Sequence, residues 1–414
     1  MDFQNQPPVP KHFHEGTYRL RAPEETLAQF GRFMPVMGIT RLANVTGLDK
    51  IGLPVVMAVR PNARSVSVSQ GKGLTLAAAK ASGLMEAIEG YHAETILLPL
   101  KFASAEELRY THDLADIDGL PRVRGSLYTP YFRLLWAEGV NLFTGDRLWV
   151  PYELTHTDYT VPPPPGSGCF PPTSNGLASG NALIEAVVHG LQEVIERDAA
   201  SLWALRPASE QAARRIDLST VDHPAPRAAL ERCAAAGVGA AVWDMTSDVG
   251  IPAFLCVLVD QEDNPFRRLY ATSGMGCHTS RGVALLRAVT EAAQGRLTVI
   301  SGARDDVTRR DYSRFRAPEV LARARADLAM PTPRRFTDCP TWELPTFNDD
   351  LALLLERLAA VGIEQVIALD LTRPEFGIPV ARVIVPGLEG INEIEDYLPG
   401  ARARALMARR EAEL

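Results

Sequence analysis

A mixed α/β (α+β) fold of pseudo-repeated helix-strand-strand units, with acidic helices converging on one site, is predicted from three observations. An acidic helical segment recurs three times in one register. A strand-turn-strand segment with matching turn residues also recurs three times. Between them lie continuously apolar runs of strand length, within 414 residues that are 46% hydrophobic and 22% charged, enough for two or three cores of roughly 100–200 residues each.

Taken in order, the opening from Met1 to Gly16 is polar and proline-bearing, without the apolar centre of a signal peptide. The longest apolar stretch, Val249 to Val259, is too short for a bilayer, which takes about 20 residues. A cytoplasmic protein with no membrane contact is expected. The formal net charge of -7 argues against a nucleic-acid surface.

The scaffold repeat starts weakly at Gly38 to Pro54, with Asn44-Val45-Thr46 and Gly52-Leu53-Pro54. It returns at Gly237 to Pro252 with Asp244-Met245-Thr246 and Gly250-Ile251-Pro252, and at Gly362 to Pro379 with Asp370-Leu371-Thr372 and Gly377-Ile378-Pro379. Helices over Ala225 to Ala236 and Asp350 to Val361 precede the two later copies. Phe254 to Val259 and Val380 to Val385 are unbroken apolar runs, the pattern of interior strands. Leu134 to Leu154 predicts a hairpin turning at Thr144-Gly145-Asp146, and Pro162 to Pro165 a stiff flap. Ser301 to Arg335 predicts a surface excursion.

The central acidic helix follows Thr173 to Asn181. Ile184, Val187, Val188, Leu191, Ile195, Ala199 and Leu202 form one buried face, while Glu185, His189, Glu193 and Glu196 share another stripe. Glu193 and Arg197 alone would fit a solvated i,i+4 pair. The recurrence decides against that. Glu86, Glu193 and Glu291 each follow an alanine by seven residues (Ala79, Ala186, Ala284) and a small residue by three (Gly83, Gly190, Ala288), and are followed at three by Glu89, Glu196 and Gln294. Glycine-containing segments precede each helix, at Gly71-Lys72-Gly73, Gly176 to Gly180 and Gly274-Met275-Gly276, and are expected to be loops. The small residues are expected to leave room for something to approach the helix.

Converging carboxylates repel by roughly 4 kcal/mol per pair at about 4 Å and an effective dielectric of 20. A shared hard cation removes that cost, and an oxygen donor set favours magnesium or calcium. Magnesium also takes phosphates, which would account for glycine segments and helix N-termini beside the acids; Lys72, Arg197 and Arg287 would balance the phosphate charge. Gly71-Lys72-Gly73-Leu74 lacks the spacing of a P-loop. Five scattered cysteines without a C-x-x-C suggest neither a disulfide framework nor a zinc knuckle.

Together, Ser69-x-Gly71-Lys72-Gly73, Ser82-x-x-x-Glu86-x-x-Glu89, Ser174-Asn175-Gly176-Leu177-Ala178-x-Gly180-Asn181, Glu185 with Glu193-x-x-Glu196-Arg197-Asp198, and Arg287-x-x-x-Glu291 resemble the YcaO family over about Gly38 to Val385. The resemblance implies a YcaO-type ATP-binding fold, with ATP and Mg2+ as cofactors and phosphate transferred to a peptide backbone amide oxygen. It implies Glu86, Glu89, Glu185, Glu193 and Glu196 at the metal. Lys72, Ser82, Asn181, Glu185, Arg197, Arg287 and Glu291 fall at the nucleotide, with Arg197, Glu196 and Glu193 the catalytic group. On this basis residues 1–37 are an N-terminal extension, 38–395 the catalytic domain of interleaved subdomains, and 396–414 a C-terminal tail.

Two departures follow. The chain ends Arg409-Arg410-Glu411-Ala412-Glu413-Leu414, where many azoline-forming members carry a proline-rich tail, and Gly90 replaces the arginine often found after the first Glu-x-x-Glu. Gly38-Ile39-Thr40-Arg41, Gly47-Leu48-Asp49 and His189-Gly190-Leu191 are similar to the TfuA-associated branch, linked to peptide thioamidation. Thioamidation of a peptide or protein, with a TfuA-like partner, a separate sulfur donor and a homodimeric enzyme, is the leading expectation. An azoline-forming cyclodehydratase and a non-catalytic ATP-binding accessory are the alternatives.

Overall fold

The computed structural model describes residues 7–14, 16–262, 271–315, 317–391 and 396–412; residues 1–6 of the extension and 413–414 of the tail lie outside them. The chain opens with a hairpin, β1 (His12–His14) and β2 (Thr17–Arg19), and helix α1 (Pro23–Phe30). Strands β3 (Arg41–Asn44), β4 (Val55–Val59) and β5 (Val68–Lys72) form an antiparallel meander that feeds α2 (Leu76–Glu94). Next come β6 (Leu100–Ala103), the short α3 (Ala105–Leu108) and the expected hairpin, β7 (Leu134–Asn141) with β8 (Arg147–Pro151). β9 (Leu177–Ser179) leads into α4 (Leu183–Ala204).

After α5 (Ala208–Ala213), β10 (Ile216–Asp217) and α6 (Pro224–Ala235), a second meander, β11 (Val238–Asp244), β12 (Ala253–Asp260) and β13 (Ala271–Cys277), feeds α7 (Arg281–Ser301). The excursion holds α8 (Arg309–Phe315), α9 (Pro318–Leu328) and β14 (Arg334–Arg335). Helix α10 (Phe347–Ala360), β15 (Ile367–Asp370), β16 (Val380–Ile384) and α11 (Ala401–Ala412) complete the chain. β16 pairs with both β15 and β9, all antiparallel, inside a six-stranded sheet. The third meander is therefore β15-β16-β9, and its helix is α4, although β9 and α4 precede β15 by more than 150 residues.

The two repeats seen in the sequence are thus halves of one unit. In each, the turn is locked in the same way: the side chain of Asn44, Asp244 or Asp370 accepts from the backbone N–H two residues on, at 3.1, 2.9 and 2.9 Å. The hydroxyl of that next residue, Thr46, Thr246 or Thr372, then accepts the first N–H of the following strand, from Val55, Ala253 and Val380. Gly52, Gly250 and Gly377 return the chain at positive φ, which costs glycine no strain.

The glycine segments before the helices differ from expectation. Gly71, Gly274 and Gly276 lie within strands, and the small helical residues are already covered by them. A Cβ on Gly71 would lie 2.1 Å from Ala79 O and Gly83 N; one on Gly276 would lie 2.1 Å from Ala284 O; one on Gly190 would lie 2.7 Å from Gly176 O. What approaches each helix is its own strand's backbone. Gly71→Ala is accordingly expected to cost about 3 kcal/mol through overpacking, read as a lower unfolding midpoint in urea, whereas Gly47→Ala, with nothing within 4 Å, leaves the midpoint unchanged.

Each helix buries its apolar face in its own cluster: α2 with Ile88 and Leu84, α4 with Leu191 and Ile195, α7 with Val289 and Leu285. The opposite, charged faces are left to turn toward one another. Among the described residues no helix is long and apolar enough to cross a membrane.

Candidate active site

The three charged faces interlock in a ring. The residue three past each acid reaches the strand of the next unit. Glu89 of α2 accepts from Ser179 N and Oγ of β9 at 2.8 and 2.7 Å. Glu196 of α4 accepts from Cys277 N of β13 at 2.8 Å, and Gln294 of α7 donates to Gln70 O of β5 at 2.7 Å. The acids themselves tie to their own strands where they are tied at all: Glu86 accepts from Gln70 N at 3.4 Å and Glu291 from Met275 N at 3.2 Å. Glu193, in the equivalent place, has no hydrogen bond or ion pair to another described residue.

The remaining predicted residues border this ring. Lys72, the last residue of β5, bridges units to Glu291 at 2.8 Å and Gln294 at 3.1 Å, and its N–H donates to Ser82 Oγ at 3.3 Å. Glu185, 1% exposed, accepts from Asn181 N at 2.9 Å. Arg197 lies 3.7 Å from Glu196, and Arg287 is 3.1 Å from His189 Nε2. Asp198, wholly buried, is gripped by Arg402 of α11 at 2.9 and 3.1 Å, which fixes the helical turn that carries Glu196 and Arg197.

Three contributors were not read from the sequence. Arg19 of the N-terminal hairpin lies 3.6 Å from Glu185, and Thr26 Oγ1 of α1 meets Asn181 Oδ1 at 3.2 Å. Nothing in the polar extension announces either. Arg382 lies on β16, 1% exposed, donating to Thr173 O and facing Glu193. A lone arginine in Val380-Ala381-Arg382-Val383-Ile384 is the legible sign, masked because the run otherwise reads as core.

Electrostatics follow from this crowding. Burial, with the charges of Glu86 and Glu193, pushes Glu89 up to about 8 against its bonds from Ser179. Burial and Glu196 lift Glu193 to about 7 although Arg197, Arg287 and Arg382 oppose. Burial raises Glu86 and Glu196 as well. Glu291 goes the other way: burial alone would raise it, but Lys72, Arg197 and the bonds from Lys72 and Met275 together hold it at about 2.

As they lie, no three carboxylate, imidazole or thiol side chains among the described residues are grouped closely enough to hold a metal ion, since Glu89, Glu185 and Glu196 lean on backbone N–H groups. The chemistry of the donors nonetheless fits a hard cation. Glu86, Glu89, Glu193 and Glu196 are carboxylates held near one another at a charge burial disfavours, and a divalent cation is what such a set lacks. Lys72, Arg19, Arg197 and Arg287 on the same ring suit phosphate oxygens.

A pH dependence follows. Carboxylates raised in the fold stabilise it while protonated, a contribution complete below about 4.5 and lost as pH climbs through about 7 and 8. The melting temperature of the ligand-free protein is expected to fall over that window, less so in Glu89→Gln. Mg2+ competes with those protons, so saturating Mg2+ and nucleotide are expected to remove the fall.

Comparison with known proteins gives the family and the fold. The family model described as YcaO cyclodehydratase, ATP- and Mg2+-binding, matches residues 70–389. A protein of Rhizobium leguminosarum bv. trifolii described as uncharacterized, in the tfuA 3′ region, is 36% identical over 387 residues, 90% of this chain and 88% of that protein. The structure of YcaO from Methanopyrus kandleri bound with AMPPCP and Mg2+ superposes with a TM-score of 0.72 at 23% identity, covering 95% of this chain and 99% of that one. A heterocyclase in complex with substrate and cofactor gives 0.74 at 25% identity over 93% of this chain; this chain spans 54% of that longer protein.

Proposed function

Because the chain belongs to the YcaO family, an ATP- and Mg2+-binding family, and its relatives point to the TfuA-associated branch, we propose that it activates a peptide backbone amide in the cytoplasm for replacement of oxygen by sulfur, with a TfuA-like partner. The observation that carries this is the ring of acids and cations drawn from all three units. Glu86, Glu89, Glu185, Glu193 and Glu196 would hold Mg2+; Lys72, Ser82, Asn181, Glu185, Arg197, Arg287 and Glu291 would contact the nucleotide. ATP supplies the phosphoryl group with which the amide oxygen departs as phosphate.

On the peptide, a hydrosulfide adds to the amide carbon, the carbonyl electron pair moves to oxygen, and the C–O bond breaks as the S–H proton leaves, giving C=S. Arg197 and Arg287 would meet charge gathering on the oxygen side, the task phosphoryl transfer sets its protein. The Cys277 N–H and the Asp198 clamp keep Glu196 and Arg197 in register, so little reorganisation is needed at that step. The expected homodimer is checked by sedimentation of the purified chain.

Azoline formation is the second reading, favoured by the similarity to a heterocyclase. The mass of the product separates the two. With ATP, Mg2+, sulfide, the TfuA-like protein and a candidate peptide, exchange of oxygen for sulfur raises the peptide mass. Loss of water from a Cys, Ser or Thr lowers it and would establish the cyclodehydratase instead.

A further inference from the structure

The threefold register places one polar residue a full turn before each acid: Ser82 before Glu86, His189 before Glu193, Arg287 before Glu291. Ser82 and Arg287 already have parts at the nucleotide in the reading above. His189 has none.

Its environment is specific. Arg287 Nη2 lies 3.1 Å from His189 Nε2. A guanidinium only donates, so Nε2 accepts, and a neutral imidazole then carries its proton on Nδ1. Nδ1 is buried with no partner among the described residues. Burial first, then the neighbours Arg19, Arg287, His278 and Lys72, hold the ring well below its ordinary pKa, so it stays uncharged. What remains is an unanswered N–H donor amid cations, a costly arrangement for a buried group.

We propose that His189 is a nucleotide-binding residue, a neutral donor whose Nδ1–H takes a phosphate oxygen beside Lys72, Arg19 and Arg287. The proposal rests on the ATP reading of this site. A metal is excluded as the occupant because Nδ1 has no lone pair in this tautomer. The cationic neighbours favour an anionic oxygen over a neutral peptide carbonyl. In the same act His189 holds the Arg287 guanidinium by its Nε2, so that one imidazole serves two units of the ring.

The test needs no peptide and no partner protein. Binding of Mg2+ with the β,γ-methylene analogue of ATP is measured by calorimetry on the full chain and on His189→Ala, His189→Asn and His189→Gln. Asparagine places an amide N–H near the Nδ1 position; glutamine places it near Nε2. Affinity is expected to fall roughly tenfold to a hundredfold in His189→Ala and His189→Gln, as for a lost hydrogen bond to a charged acceptor, and to stay within about threefold in His189→Asn. Nitrogen-15 spectra of histidine-labelled wild type, which need no variant to fold, are expected to show the Nδ1–H tautomer at neutral pH and a shift of that signal on adding the analogue. Wild-type binding that His189→Ala leaves unchanged, rescue by glutamine instead of asparagine, or an unmoved Nδ1–H signal overturns the role of His189 and leaves the ATP site standing. A wild type that binds no Mg2+ nucleotide overturns both.

Discussion

Glu193→Gln is expected to lower peptide-dependent ATP hydrolysis by about a hundredfold to a thousandfold, the scale on which a preorganised charge at a reacting phosphoryl group acts, with no loss of melting temperature. Glu193 is the clean member of the ring. Glu86 and Glu291 brace their own strands, and Glu89 and Glu196 fasten neighbouring units through Ser179 and Cys277. Glu193 does neither, so its carboxylate is kept at a raised pKa of about 7 without a structural return. Glutamine keeps its shape and removes the charge, which relieves repulsion from Glu196. Glu196→Ala is expected to lose both activity and stability, because Cys277 N is left without its acceptor inside the protein. Activity assays paired with thermal melts read the difference; a Glu193→Gln enzyme that turns over normally removes the acid ring from the chemistry.

The second large effect is the loss of thioamide product when the TfuA-like protein is omitted at physiological sulfide. No thiol in this chain is suited to carry sulfur. All five cysteines are buried, and burial pushes Cys169 up to about 11, Cys233 and Cys339 to about 12, and Cys256 and Cys277 well above the ordinary thiol range. A sulfur carrier works as an accessible thiolate. Substituting Cys169 and Cys277 by serine is therefore expected to leave partner-dependent turnover unchanged, measured by product mass at fixed sulfide. Efficient conversion without the partner shows that this chain takes up free sulfide unaided.

Much of this arrangement is legible in the sequence. The register of Glu86, Glu193 and Glu291 marks three equivalent helices, and Asn44, Asp244 and Asp370 with their threonines mark three equivalent turns, because local hydrogen bonding demands those side chains at fixed offsets. That the two repeats belong to one unit was not legible. β9 and α4 join β15 and β16 across the sequence, and no local pattern carries a pairing between segments so far apart. The glycines misled for a related reason: glycine signals a turn or a close approach with the same letter, and only the strand-to-helix contact of Gly71 with Gly83 or Gly276 with Ala288 decides between them. Arg19 and Thr26 escaped because a single exposed-looking polar residue has no periodicity to betray it.

The central claim, that the amide oxygen itself leaves on phosphate, is tested by labelling the peptide's backbone carbonyls with oxygen-18 and recovering the phosphate after turnover with ATP, Mg2+ and the partner. One labelled oxygen is expected in each phosphate released per modified amide. Phosphate free of label, with the product formed, would contradict it.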